Sequence, residues 1–500
     1  MVRLADLAER CGGKVLGEAG VEVRDVRLDS RAVRKGELFA ALPGTLADGA
    51  AYVAQAKKRG AVAVLSPEPL GEELGLPNWV HPEARRAAGL AAAEVQDHPA
   101  RDQFTVAVTG TNGKTTVAHL AADLLRATGH KPGLSGTVEV RLHGAEASPA
   151  THTTPDAPEL QRLCRRNLRA RGDSFVLEAS SHALDQERLA GLELDVAVFT
   201  NLGRDHLDYH SDLESYARAK ERLFEHLKPG GTAVIHAADP ASERMLAAAK
   251  RRTDRVVTYG VGSSYDLSAV LHDAGPSGSH VFLEGMGIPR TGLFLPLVGR
   301  HNVENALAAL AATLLLEASP SRALEGLASI SPPPGRLERV DTPNHRFQVF
   351  IDYAHTPEAL ANVLGTLRGL MEHPEDGEDH ALIEGRLLCL FGCGGDRDTE
   401  KRAPMGAVVG EYADLAIVTS DNPRHEDPDA IIRDVLLGFE DSPADVVVEP
   451  DRRAAIRQAL RLAEPNDVLL IAGKGHETWQ NVRDKRLPFE DRKVVREELP

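Results

Sequence analysis

The stretch Val106-Ala-Val-Thr-Gly110-Thr-Asn-Gly113-Lys114-Thr115-Thr116 constrains this chain most, because it joins an apolar strand to a helix through a glycine-rich turn that ends in a lysine and two hydroxyls. Small residues there let backbone N–H groups approach phosphate oxygens, and the start of a helix adds positive dipole. Lys114 supplies a point charge, and Thr115 carries the kind of hydroxyl that reaches a magnesium ion. The Gly-x-x-Gly-Lys-Thr-Thr spacing is two residues shorter than the commonest phosphate loop, so the context has to carry the reading. Residues 104–109 read as a buried strand. Val117, Leu120, Ala121, Leu124 and Leu125 fall on one helical face that stops at Gly129. Strand, loop and helix in that order predict a nucleotide phosphate cradle built from Gly110, Thr111, Asn112, Gly113, Lys114, Thr115 and Thr116.

Five hundred residues are enough for about three domains, each with its own core. With 58 Lys and Arg against 74 Asp and Glu, the net charge of -16 disfavours a general nucleic-acid or anionic-membrane surface, so no nucleic-acid partner is expected. An anionic ligand must then be held by local arginines and backbone amides. Cys11, Cys164, Cys389 and Cys393 form neither a disulfide framework nor a paired zinc motif, and so few cysteines suit a reducing cytoplasm. Arg3, Asp6, Glu9 and Arg10 interrupt every apolar run at the N-terminus, which argues against a signal peptide. The longest apolar stretch, residues 306–316, is too short to span a bilayer and reads as a buried helix, so no membrane insertion is expected.

Residues 1–98 carry short strand and helix patterns ending in an alanine-rich helix over 85–95, and a polar link at 97–102 separates them from the phosphate-loop strand. A central unit over 99–335 has further strand candidates at 175–178, 196–200 and 232–235 alternating with helices, which predicts a largely parallel sheet covered on both faces. The proline run at 331–335 marks a second boundary. In 336–500, strands at 347–352, 387–391, 415–419 and 468–472 alternate with helices again, and the acidic segment 372–384 reads as a solvated loop. The expected fold is therefore α/β with three domains. A smaller N-terminal α/β domain precedes a central parallel-sheet phosphate-loop domain and a C-terminal Rossmann-like domain.

Strand ends are where open α/β sheets place ligands. Glu178 ends one strand beside the phosphate loop, as a magnesium-holding carboxylate would. Asn201, Asp205, His206, Asp208 and His210 crowd after another strand, a grouping suited to metal or phosphate although the spacing does not specify zinc. Seven motifs then follow one another in order: Gly110-Thr-Asn-Gly-Lys-Thr-Thr116, Thr153-Thr-Pro-Asp-Ala-Pro-Glu-Leu160, Glu178-Ala-Ser-Ser-His-Ala-Leu184, Asp352-Tyr-Ala-His-Thr-Pro357, Gly392-Cys-Gly-Gly-Asp-Arg-Asp398, Asp421-Asn-Pro-Arg424 and Gly473-Lys-Gly-His-Glu477. Each is weak alone. Together they resemble the Mur ligases, and within them the branch that extends a UDP-muramoyl dipeptide; the resemblance covers essentially the whole chain.

That resemblance implies a UDP-binding N-terminal domain, a central ATPase and a C-terminal domain that closes over the active site. Asp29-Ser-Arg31, Gly36-Glu-Leu-Phe39 and the turn from Gly44 to Gly49 match its uridine-binding pattern, with Ser30 as the direct contact, although Thr45-Leu46-Ala47 departs from the polar residues of relatives. Thr153, Thr154, Ser180, Gln186 and Arg188 match positions for the muramoyl dipeptide. Asn302 and Asn305 match the adenine side, and Arg336 and Asp352 match positions near the ribose and phosphates of ATP. Lys220 matches a carbamylated lysine that helps His206 hold a second magnesium, with the first held by Thr115 and Glu178; from the residues alone it reads as a solvated helix lysine. Arg397, Asp421, Asn422, Arg424, Gly473 and Glu477 match the pocket for the incoming amino acid.

The implied activity is ATP-dependent, Mg2+-assisted amide formation that adds a diamino acid to UDP-N-acetylmuramoyl-L-Ala-D-Glu through an acyl phosphate, in cytoplasmic peptidoglycan synthesis. Catalysis falls to Lys114, Lys220, His206 and Glu178, in a monomer. Arg424 offers a fork for a second carboxylate, which favours meso-diaminopimelate over L-ornithine or L-lysine. Another ligase of the Mur or folylpolyglutamate type would share the phosphate loop without the 421–424 and 473–477 pair. A phosphate-loop switch or kinase would leave the uridine-like and amino-acid-like regions without a purpose.

Overall fold

The computed structural model describes residues 1–44, 48–71, 75–262, 264–343, 345–372, 385–440 and 442–499. Thr45-Leu46-Ala47 of the uridine-like turn and residues 373–384 of the acidic segment lie outside the described residues; Glu372 ends the Pro357–Glu372 helix.

The architecture is three-domain α/β, with one main sheet for each part of the chain and a two-stranded sheet beside it in the first and last parts. In the N-terminal part, Val26–Arg27, Leu38–Ala40, Ala63–Ser66 and Asn78–Val80 pair in parallel, and Lys14–Leu16 closes the far edge antiparallel to Asn78–Val80. The alanine-rich helix Ala84–Val95 lies over this sheet, and its small residues let it also pack on the central part. A Cβ at Gly89 would stand 2.6 Å from the Ala190 carbonyl oxygen. Arg162 fixes the same junction, donating through Nη1 to the Val26 carbonyl at 2.8 Å.

The central sheet has eleven strands. Seven neighbours from Pro132–Ser135 to Leu267–Gly275 run parallel, in the spatial order Pro132–Ser135, Ser174–Glu178, Phe104–Thr109, Leu194–Phe199, Leu227–His236, Val256–Val261, Leu267–Gly275. These strands read as near-continuous apolar runs because helices cover both faces: Val106 and Val108 face the Lys114–Ala127 and Arg300–Leu314 helices, while Ala107, Phe175 and Leu177 face the other layer. The sheet is larger than the sequence suggests. Leu267–Gly275, Gly278–Gly285 and Ile288–Leu295 form an antiparallel meander at one edge, and Glu139–Arg141 and Ser148–Pro149 extend the other edge antiparallel. One face of the meander is exposed, so its strands carry His272, His280, Glu284 and Arg290 among only short apolar runs.

In the C-terminal sheet, Gln348–Asp352, Val468–Ala472, Leu387–Phe391, Leu415–Val418 and Asp445–Val448 are parallel in that spatial order, and Glu338–Val340 pairs antiparallel with the first. From 348–352 the chain skips one position to 387–391 and returns to fill the gap with 468–472, and the carboxyl ends of such strands are where open α/β sheets bind ligands. Four free cysteines are present, three of them buried, as expected of core residues. Among the described residues no helix is long and apolar enough to cross a membrane.

Candidate active site

Three adjacent central strands deliver their carboxyl ends to one place: Phe104–Thr109 to the phosphate loop, Ser174–Glu178 to Glu178, and Leu194–Phe199 to Thr200 and Asn201. The loop is held open from outside. The Thr200 hydroxyl donates to the Asn112 carbonyl at 2.6 Å, and Asn201 accepts the Asn112 N–H at 2.8 Å. Its two glycines have no room for a side chain, since a Cβ would meet Thr200 Oγ1 at 1.8 Å from Gly110 and Asn305 Oδ1 at 2.4 Å from Gly113, and both have positive φ, +155° and +85°.

Lys114 opens the Lys114–Ala127 helix, and its Nζ donates to the carbonyls of Gly110 and Thr111, both at 2.8 Å, so the ammonium lies inside the loop. Burial pushes its pKa down, opposed by the carboxylates of Glu178 and Asp205. Thr115 and Thr116 are buried at the same helix start. Glu178 is wholly buried: it accepts from Thr115 Oγ1 at 2.9 Å and from Thr137 through its N–H at 2.6 Å and Oγ1 at 2.9 Å. Thr137 was not singled out from the sequence. Its signal is the preceding Gly136, where a Cβ would stand 2.3 Å from Glu178 Oε1.

Lys220 is not the solvated lysine its local sequence suggests. It is 1% exposed, near the end of the Leu213–Glu221 helix, with Nζ 4.2 Å from the centre of the Tyr216 ring. Burial and then the Lys114 charge push its pKa well down, against a smaller pull from Asp205. The Tyr216 hydroxyl lies 3.2 Å from Thr111 Oγ1, tying that helix to the phosphate loop. His206 stands at φ +54°, its ring 4.7 Å from that of His182 and 6.3 Å from that of Tyr216, with Asp205 Oδ2 3.4 Å from its Nε2.

Among the described residues no group of three or more His, Cys, Asp and Glu side chains closes into a metal cage. Magnesium does not require one. It keeps waters and is usually bound by one or two carboxylates plus substrate phosphates, which a buried carboxylate hydrogen-bonded to the phosphate-loop threonine satisfies.

The residues matched to the peptide substrate line the other side of Glu178. Thr153 Oγ1 lies 3.1 Å from Thr137 Oγ1, Thr154 Oγ1 donates to the Glu178 carbonyl at 2.8 Å, and Ser180 caps the Ser181–Asp185 helix by accepting the Ala183 N–H. Arg188 donates to the Thr154 carbonyl at 2.8 Å and to Gln186 Oε1 at 2.8 Å. Gln186 and Arg188 line a cleft of about 180 Å³ with Leu28 and Arg85 of the N-terminal part and His152 and Asp156 of the central part. Ser30, 6% exposed, donates to Gln55 Oε1 at 2.6 Å, beside the Asp29–Arg31 ion pair.

Asn302 lies inside the Arg300–Leu314 helix, after the N-cap Gly299. Its Nδ2 donates back to the Val298 carbonyl at 2.9 Å and its Oδ1 accepts from Asn305, so this pair ties the helix start to Gly113. Arg336 crosses from the C-terminal part: Nη2 reaches Thr115 Oγ1 at 3.4 Å, and its guanidinium sits 5.0 Å from the centre of the Tyr353 ring. Asp352 accepts the Leu337 and Ala354 N–H groups at 2.6 and 2.8 Å; burial raises its pKa and Arg336 opposes this.

Three C-terminal strand ends meet at the remaining residues. Lys474, fully buried and absent from the sequence-derived set although it stands between Gly473 and Glu477, donates to Glu477 Oε2 at 2.8 Å and lies 3.7 Å from Asp421 Oδ1. Asn422 Nδ2 also donates to Glu477 Oε2 at 2.9 Å, and the Gly473 N–H, at φ +108°, donates to the Asp352 carbonyl at 3.1 Å. Burial raises the Glu477 pKa, but Lys474 and Asn422 hold it below its ordinary value. Arg424, at φ +51°, donates through Nη1 to the Gly395 carbonyl at 2.6 Å, and Arg397 is exposed on the neighbouring loop.

Three family models match along the chain: "Mur ligase family, catalytic domain" over residues 22–99, "Mur ligase middle domain" over 108–313 and "Mur ligase, glutamate ligase domain" over 335–475. Two similar relatives are proteins named UDP-N-acetylmuramoyl-L-alanyl-D-glutamate--2,6-diaminopimelate ligase. The one from Gloeobacter violaceus is 41% identical, with 100% of this chain and 98% of the relative covered. The one from Streptomyces coelicolor is 42% identical, with 99% and 96% covered. A solved structure described by the same name superposes with TM-score 0.70 at 31% identity, covering 100% of this chain and 98% of that one. Folylpolyglutamate synthase from Mycobacterium tuberculosis, at 22% identity and TM-score 0.60 over 78% of this chain and 92% of its own, shares the fold. With the phosphate loop, the buried Glu178 and the two converging sets of strand ends in one molecule, these matches show that the chain belongs to the Mur ligase family.

Proposed function

We propose that this ligase joins meso-diaminopimelate to UDP-N-acetylmuramoyl-L-Ala-D-Glu at the expense of ATP, in the cytoplasm, with functional boundaries near 98/99 and 335/336. One observation carries the reading: a phosphate loop and buried carboxylate on one sheet face a second set of strand ends of mixed charge on another, and Arg336 spans the two at 3.4 Å from Thr115. The diaminopimelate-named relatives, matched over nearly the full chain, support the substrate.

A free carboxylate is a poor electrophile, so its oxygen first attacks the γ-phosphorus of ATP, ADP leaves, and an acyl phosphate forms. The amine nitrogen then adds to the acyl carbon, and the tetrahedral species expels phosphate as the C–N bond becomes an amide. Lys114 balances the negative charge that spreads over the phosphoryl oxygens, and the backbone N–H groups of 110–116 hold the chain of phosphates in line. Thr115 and Glu178 would hold one magnesium and His206 with Lys220, as a carbamate, a second; bound there, magnesium would supply charge neutralisation between phosphate and carboxylate oxygens. Arg336 and Asp352 position the nucleotide, and closure of the C-terminal part excludes water that would hydrolyse the acyl phosphate. Thr153, Thr154, Ser180, Gln186 and Arg188 orient the peptide end of the acceptor, and Ser30 its uridine.

In the amino-acid pocket, Glu477 and Asp421 offer acceptors for the amines, and the Arg424 fork takes a carboxylate. Only diaminopimelate among the three candidate diamino acids has a second carboxylate. The measurement is phosphate release with each of diaminopimelate, lysine and ornithine, with and without the UDP-muramoyl dipeptide. Release is expected only with both organic substrates present, and diaminopimelate should lead. In Arg424→Ala that lead should shrink by roughly tenfold to a hundredfold, the worth of a charge-assisted hydrogen-bond pair of about 1.5–3 kcal/mol. A wild-type preference for lysine or ornithine would refute the substrate and leave the ligase assignment standing.

A further inference from the structure

Arg424 can receive a substrate carboxylate only if no carboxylate of the protein already occupies it. Glu426 is the obvious competitor, two residues along the same loop and packed against the same glycine: Gly395 gives its carbonyl to Arg424 Nη1, and a Cβ at Gly395 would lie 3.1 Å from Glu426 Cβ. Glu426 is instead engaged elsewhere. Both of its carboxylate oxygens accept from Arg402 Nη2, at 2.9 and 2.8 Å, and Arg402 Nη1 donates to Asp434 at 2.9 Å. Arg402 is 2% exposed, a buried guanidinium on the Arg402–Tyr412 helix. Glu426 Oε1 also accepts the Asp396 N–H, and Asp396 Oδ2 pairs with His425 at 2.8 Å, so the 394–398 and 422–426 loops are joined through this carboxylate. Asp396 and Arg424 both stand in the left-handed region, at φ +51°, and their positions depend on that junction.

We propose that Arg402 is a positioning and specificity-determining residue for the amino acid: by capturing Glu426 it keeps the Arg424 fork open to the second carboxylate of the substrate. This rests on the diaminopimelate reading given above. Losing Arg402 frees a carboxylate beside Arg424, which then competes with the substrate carboxylate for the same guanidinium.

The test is amino-acid selectivity in Arg402→Gln, Glu426→Gln and the double variant, each as the full chain. In Arg402→Gln the KM for diaminopimelate should rise about tenfold and its advantage over lysine fall by the same factor, with the KM for ATP unmoved. Glu426→Gln keeps an oxygen for the Asp396 N–H without the charge, so it should retain the wild-type preference. The double variant should recover most of the selectivity, which a merely structural role for Arg402 would not produce. Equal losses on diaminopimelate and lysine, or a double variant no better than Arg402→Gln, overturn the inference. If Arg402→Gln does not fold, Arg402→Lys carries the test: it retains one charge without the fork, and a smaller selectivity loss reversed by Glu426→Gln is expected, while loss of the preference in Glu426→Gln alone overturns the proposal. A wild type preferring lysine or ornithine is a separate outcome that removes the substrate reading and this inference together.

Discussion

Replacing Lys114 by alanine is expected to lower ligation turnover by a factor on the order of 10³ while leaving the protein folded. The ammonium sits in a loop whose geometry is fixed without it: Thr200 and Asn201 hold Asn112 from the neighbouring strand, and Asn305 fills the space above Gly113. Removing Lys114 therefore deletes a charge rather than a scaffold. The two carbonyls it now serves, of Gly110 and Thr111, belong to a ligand-facing loop and can take water in its place. What cannot be replaced is a preoriented cation against the transferring phosphoryl group, where removal of one such donor costs several kcal/mol of transition-state stabilisation. Steady-state phosphate release, measured beside a thermal unfolding curve, decides the matter. A folded Lys114→Ala protein that ligates at near wild-type turnover would refute the role given to this residue.

The phosphate loop was legible because it is local: six strand residues, a four-residue turn and one amphipathic helix are contiguous in sequence, and the structure has Phe104–Thr109 and Lys114–Ala127 where the periodicity put them. Strand ends such as Glu178, Asp352 and Gly473 were legible for a related reason, since buried parallel strands are apolar runs and the first polar residue after each marks its carboxyl end. What was not legible depends on distant chain segments meeting. Nothing near Lys220 announces burial; its Leu213–Glu221 helix looks solvated until Tyr216 is seen against Thr111, more than a hundred residues earlier. Lys474 and Thr137 are similar, being ordinary residues in or beside the motifs that acquire a role only through Asn422, Asp421 and Glu178. The antiparallel meander over 267–295 escaped because its half-exposed strands mix polar residues such as His272, His280, Glu284 and Arg290 into short apolar runs.

Lys220→Ala is expected to lose roughly several hundredfold in turnover, about 3–4 kcal/mol, and to regain part of it with added formate or acetate. The physical argument begins with the cost of the site. A lysine that is 1% exposed, near the Lys114 ammonium and over the Tyr216 ring, has no bulk water to solvate a charge. Burial first, and Lys114 second, push its pKa well down, which favours the uncharged, nucleophilic form of the amine. An uncharged amine adds to carbon dioxide: the nitrogen lone pair forms the N–C bond, one proton leaves, and the side chain becomes an anionic carbamate. That gain of negative charge turns an amine that offers magnesium no oxygen into an oxygen donor of the type magnesium prefers. Bare alanine leaves a small cavity without a donor, which a short carboxylate can enter and a simple alkyl alcohol cannot usefully fill. Three measurements bear on this: electron density at Nζ at high resolution, turnover of the wild type prepared with and without bicarbonate, and rescue of the alanine variant by formate against an ethanol control. Full activity of Lys220→Ala with no additive would remove Lys220 from the catalytic set, and equal rescue by formate and ethanol would reduce its role to filling space under Tyr216.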